Sequence, residues 1–62
     1  MTLIRYKNAI LKSKHELAWA LHFDRAKLDW EYEAVTFRSG RFSYTPDFSL
    51  YQRTLFVEVK VW

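Results

Sequence analysis

The sequence predicts an α+β domain in which one N-terminal helix packs on a three-stranded antiparallel sheet. Three observations predict it. A capping signal at Ser13 opens a stretch of helical apolar spacing. From Leu28 onward apolar residues recur at every second position. Turn signals at Ser39-Gly40 and over 51–54 then divide the strands, and connections that short impose antiparallel pairing.

The helix is expected from about Lys14 to Lys27. Ser13 is followed three positions later by Glu16, the spacing of a capping box. Leu17, Ala20, Leu21, Asp24 and Leu28 follow a helical period, and Trp19, Phe23 and Ala26 widen the apolar surface. In the first strand Trp30, Tyr32 and Ala34 alternate with Glu31, Glu33 and Val35. Arg41 to Thr45 alternates again, Pro46 marks a strand start, bulge or edge because it has no N–H, and Phe48 and Leu50 continue beyond it. The last strand is expected over 55–62, where the alternation is strict.

A chain of 62 residues holds one domain, here taken as 1–62. A domain of this size buries only about 60% of its unfolded surface. With no cysteine, it has neither a disulfide nor a thiolate zinc site to reinforce it. Three Trp, four Tyr and five Phe compensate, because each ring buries a large area. No apolar run is long enough to span a membrane and no secretory signal core is present, so a cytoplasmic location is expected. The net charge is +3, and Arg5, Lys7, Lys12 and Lys14 fall in the first fourteen residues with no acid among them. That segment reads either as a phosphate-facing surface or as a solvated, frayed terminus.

The chemistry is concentrated in the last hairpin. If its loop is symmetric about Gln52 and Arg53, Leu50 faces Leu55, Phe48 faces Val57 and Asp47 faces Glu58. One face then carries Phe48, Leu50, Leu55, Val57, Val59 and Val61, a core face. The other carries Asp47, Ser49, Phe56, Glu58, Lys60 and Trp62. Two carboxylates directly across a ladder repel each other, and a divalent cation removes that objection. Lys60 lies about 7 Å beyond Glu58 on the same face, within reach of a water at such a cation. Taken as isolated residues, these three also read as a turn aspartate after Pro46 and the polar side of a half-exposed strand.

Four blocks in order add specificity. Residues 13–24 (SKHELAWALHFD), Trp30-Glu31-Tyr32-Glu33, Tyr44-Thr45-Pro46-Asp47-Phe48 and Val57-Glu58-Val59-Lys60 together resemble the compact PD-(D/E)XK nucleases of phages and bacteria. The resemblance covers 13–60 and implies the αβββ part of a restriction-endonuclease-like core. It implies an endonuclease that cleaves DNA with Mg2+ or Mn2+. By that resemblance Asp47 and Glu58 are metal ligands, the backbone carbonyl of Val59 is a further ligand, and Lys60 stands beside the nucleophilic water. Glu16 matches a helix glutamate directed at the metal or its waters, a role that competes with the capping box.

The family core continues after the motif strand with a second helix and strand, and this sequence ends at Trp62. The last strand is therefore expected to be an open edge completed by a second copy, most simply in a two-fold dimer. The same departure motivates an alternative: a catalytically inactive nuclease-like module that binds DNA or protein, such as a phage-encoded inhibitor. Arg38 and Arg41 flank the Ser39-Gly40 turn and, with the four N-terminal cations, make up the expected DNA contacts. Glu31 and Glu33 form an acidic strip that argues against DNA on their face. His15 and His22 lack a third ligand for zinc and read as surface. Trp19 and Phe23 read as core or interface before base-stacking, and Trp30 and Tyr32 as core.

Overall fold

A computed structural model describes residues 3–60. It is an α+β fold with one helix and seven short strands, so the expected class holds while the layout is richer. In chain order the elements are β1 (Ile4–Tyr6), β2 (Ala9–Leu11), α1 (Lys14–Arg25), β3 (Trp30–Tyr32), β4 (Phe37–Ser39), β5 (Phe42–Tyr44), β6 (Phe48–Leu50) and β7 (Leu55–Val57). They form a β1–β2 hairpin, a three-stranded sheet ordered β3-β6-β7 and a separate β4–β5 hairpin, all antiparallel. No helix among the described residues is long and apolar enough to cross a membrane.

At the N-terminus, of the two readings the sequence left open, the frayed segment is corrected to a paired hairpin. Ile4 pairs with Leu11 and Tyr6 with Ala9. Ala9 and Leu11 turn into the core, and Arg5 and Ile10 turn out to solvent.

Helix α1 is capped at both ends. The Ser13 side chain accepts from the Glu16 N–H at 3.1 Å. At the C-terminus the Lys27 N–H bonds the Asp24 carbonyl and the Leu28 N–H bonds the Phe23 carbonyl, the two bonds of a Schellman motif. The helix therefore ends at Arg25, ahead of the expected Lys27, because Lys27 takes φ 59° in the left-handed region.

The core lies between α1, the β1–β2 hairpin and one face of the three-stranded sheet. Its buried members are Ala9, Leu11, Ala20, Phe23, Phe48 and Leu50. The rings of Phe23, Trp30 and Tyr32 each meet Phe48 edge-on, at centroid distances of 5.2, 5.5 and 5.5 Å. These edge-to-face contacts add to the area each ring buries.

The middle strand divides at Pro46. Its first part is β5, which pairs with β4 alone; its second is β6, the centre of the sheet. A buried residue without an N–H interrupts the ladder there. The β6–β7 register is the expected one, Phe48 with Val57 and Leu50 with Leu55. Two side chains depart from their expected environments. Leu55, at the loop end of β7, is exposed, and Ser49 is buried at 4% exposure with no hydrogen-bond partner for its hydroxyl. Of the expected strand over 55–62, β7 takes Leu55–Val57, residues 58–60 leave the ladder, and Val61 and Trp62 lie outside the described residues.

Candidate active site

Asp47 is fixed from two sides by its neighbours' backbone. Its carbonyl accepts from the Glu33 N–H at 3.0 Å, extending the β3–β6 pairing by one residue. Its carboxylate Oδ2 accepts from the Val59 N–H at 2.7 Å. The second bond explains why the β6–β7 ladder stops at Val57: beyond it the Asp47 side chain takes the amide. The direct Asp47–Glu58 ladder pair expected from the sequence is thus replaced by a side-chain bridge to the next residue. At Val59 the contact made to Asp47 is through the N–H, where the resemblance implied a carbonyl ligand.

Glu16 reaches the same region from the helix. It is buried to 6% exposure, and its Oε1 accepts from the Lys12 N–H at 2.7 Å and from the Tyr32 hydroxyl at 2.8 Å. The Ser13 side chain caps the Glu16 amide, and the Glu16 carboxylate turns back to the amide of Lys12. Burial, then the bond to Glu16, pushes the Tyr32 hydroxyl well above the ordinary tyrosine range, so it stays a donor.

The carboxyl of Asp47 is held above its usual range, first by burial and then by the charges of Glu16 and Glu58, while the Val59 amide opposes the shift. Carboxylates from α1 and from the segment after β7 thus act on Asp47, the residue just before β6. Glu58 is the outermost. Its Oε2 accepts from the Tyr44 hydroxyl at 2.8 Å, and the Lys60 ammonium lies 3.9 Å from the same oxygen. Lys60 therefore lies beside Glu58.

The donor set is all oxygen and mostly carboxylate, the chemistry that suits a hard cation such as Mg2+, which binds through one or two carboxylates and keeps several waters. No group of three or more His, Asp or Glu side chains stands at metal-holding distance among the described residues. Asp47 and Glu58 carry oxygens of that chemical kind, each engaged by neighbours within the fold.

The expected DNA contacts separate into two kinds. Lys7 is paired with Asp24 at 3.0 Å and Lys12 with Glu33 at 2.5 Å, so both belong to the fold's internal ion pairs. Arg5 and Lys14 are exposed, as are Arg38 and Arg41 on the β4–β5 hairpin. The acidic strip is engaged as well, since Arg53 forks onto Glu31 with two bonds of 3.0 Å and Lys12 holds Glu33. His15 and His22 are exposed, Trp19 is half-exposed and Phe23 is core.

Sequence reasoning missed two groups at the site. Tyr32, read as core, supplies the hydroxyl that holds Glu16; its place opposite Phe48, one residue from Asp47, was the available signal. Tyr44, in the same block as Asp47, supplies the hydroxyl that holds Glu58. Comparison of the chain with protein-family models, curated proteins and solved structures gave no match.

Proposed function

We propose that this chain is a divalent-metal-dependent endodeoxyribonuclease of the PD-(D/E)XK type. The observation that supports it is the Asp47 carboxyl, anchored by the Val59 amide and raised first by burial and then by the charges of Glu16 and Glu58, with Lys60 beside Glu58. Asp47 and Glu58 would hold the ion, Mg2+ or Mn2+, and Glu16 would face its waters. When bound, the ion would acidify a water and neutralise charge developing on the phosphate.

The remaining work falls to the chain's own residues. The Val59 amide orients the Asp47 carboxylate. The Tyr32 hydroxyl and the Lys12 amide fix Glu16 Oε1. The Tyr44 hydroxyl orients Glu58. Lys60, an exposed ammonium on a flexible stem, binds the phosphate or steadies the attacking water. On this reading DNA is the substrate, the cytoplasm is the compartment, and the outer edge of β7 meets a second copy of the chain.

The test is incubation of the purified protein with plasmid and branched DNA in Mg2+ or Mn2+. Cutting that Asp47→Ala abolishes is expected; wild type no more active than that variant overturns the reading. A second reading has its own observation. Glu58 is already engaged by Tyr44 and Lys60, as in a module that binds DNA or protein without cutting, of the kind a phage inhibitor would be. Calorimetric titration with Mn2+ separates the two, since the inactive module binds no ion through Asp47 and Glu58.

A further inference from the structure

The β4–β5 hairpin stands apart from the core, tied to the rest of the fold at its base. Thr36 and Thr45 share a hydroxyl hydrogen bond of 2.8 Å there. Phe37 packs edge-on against Phe56 of β7 at 5.1 Å, and the Tyr44 hydroxyl reaches Glu58. Phe37 pairs with Tyr44 and Ser39 with Phe42, so Phe37, Tyr44 and Phe42 share one face, and Arg38 and Ser43 take the other. Gly40, with φ 58°, closes the turn beside Arg41.

Two of the three rings are held by their contacts. The third, Phe42, is held out at 81% exposure, although burying such a ring is favourable. Arg41 precedes it at the turn and Arg38 projects from the opposite face, and neither makes an ion pair among the described residues. Residues 34–46 contain no acid. An exposed aromatic face edged by unpaired guanidiniums suits a strand that offers both bases and phosphates. A second copy is a poorer occupant, because a two-fold contact through this hairpin would set the arginines of one copy against those of the other. Paired DNA hides its base faces in the stack, so the complementary ligand is an unpaired strand.

We infer that the β4–β5 hairpin binds single-stranded DNA, stacking bases on Phe42 and the neighbouring aromatic face and taking phosphates along the hairpin edge, on Arg41 beside the ring and on Arg38 reaching round from the opposite face. The inference deepens the nuclease reading, on which it rests only for naming this strand as substrate. Through Tyr44 the hairpin leads to Glu58, so the bound strand enters the candidate centre.

The experiment is fluorescence anisotropy of labelled oligothymidine and of a duplex of equal length, both in EDTA so that cleavage plays no part. Oligothymidine is expected to bind more tightly than duplex. Phe42→Ala is expected to weaken it about tenfold or more, and Phe42→Trp to preserve it. Arg38→Ala and Arg41→Ala should each reduce the salt dependence. Duplex binding as tight as single strand, or Phe42→Ala matching wild type, overturns the inference whether or not the protein cuts DNA. A fall in oligomer size on sedimentation of Phe42→Ala overturns it too, assigning the hairpin to self-association. Binding as expected with no metal-dependent cutting leaves the hairpin assignment in place and removes the nuclease.

Discussion

The Val59 amide donates a 2.7 Å hydrogen bond to Asp47 Oδ2, so the two motif segments are joined by a side chain where a ladder bond would otherwise lie. Asp47 is partly buried and crowded by Glu16 and Glu58, and its folded pKa is raised above that of the unfolded chain. Its contribution to stability is therefore present below the unfolded value and is lost as pH rises through the folded one. At neutral pH, without metal, the charged Asp47 works against the fold. Asp47→Asn is expected to melt no lower than wild type in EDTA. Added Mg2+ is expected to raise the melting temperature of wild type and leave the variant unmoved. Calorimetric melts with and without Mg2+ check this; an equal response of both proteins would remove Asp47 from the metal's reach.

Tyr32 is the only side chain that donates to the buried carboxylate of Glu16 among the described residues. Tyr32→Phe keeps the ring on Phe48 and deletes the hydroxyl alone. Hydrogen bonds to charged groups contribute about 1.5–3 kcal/mol, and the loss here is expected in that range. Urea denaturation reads it as a lower midpoint at unchanged slope. A shift within error would mean that water replaces the hydroxyl.

Lys27 occupies the left-handed position of the Schellman motif, where the usual occupant is glycine. A side chain there costs roughly 1 kcal/mol or more relative to glycine. Lys27→Gly is expected to stabilise the fold by up to about 1 kcal/mol, because the added freedom of the unfolded chain offsets part of the relief. Lys27→Ala separates backbone strain from any effect of the lost charge, and should not stabilise. The same denaturation curve measures both.

The contrast between β6–β7 and the N-terminus shows what was legible. Apolar residues at Phe48, Leu50, Leu55 and Val57 specify one register, since a slip by one residue turns every one of them to the other face. At the N-terminus Ile4, Tyr6, Ala9 and Leu11 carried a comparable signal around Lys7-Asn8, but interleaved cations made the segment read as solvated. Those cations are in part structural: Lys7 and Lys12 close ion pairs with Asp24 and Glu33, residues far along the chain. The separation of β5 from β6 followed from Pro46 and was only half drawn from it. The capture of the Val59 amide by Asp47 has no local signal, because it depends on where β7 ends in space.

Asp24 provides the test of the fold's acid limit. It accepts from the Tyr6 hydroxyl, from Trp30 Nε1 at 2.9 Å and from the Lys7 ammonium at 3.0 Å. One carboxylate on α1 therefore fastens the β1–β2 hairpin and β3 to the helix. The Tyr6 bond, followed by those of Trp30 and Lys7, lowers its pKa from 3.8 to about 2. A depressed carboxylate contributes stability that is present above the unfolded value and lost as pH falls through the folded one. Wild type is thus expected to lose stability as pH drops from about 4 toward 2. Asp24→Asn should be less stable at neutral pH and show a flatter profile across that window. Tryptophan fluorescence during urea denaturation at a series of pH values measures it, with Trp30 reporting directly on the bond. Parallel profiles for the two proteins would assign the acid transition to other carboxylates.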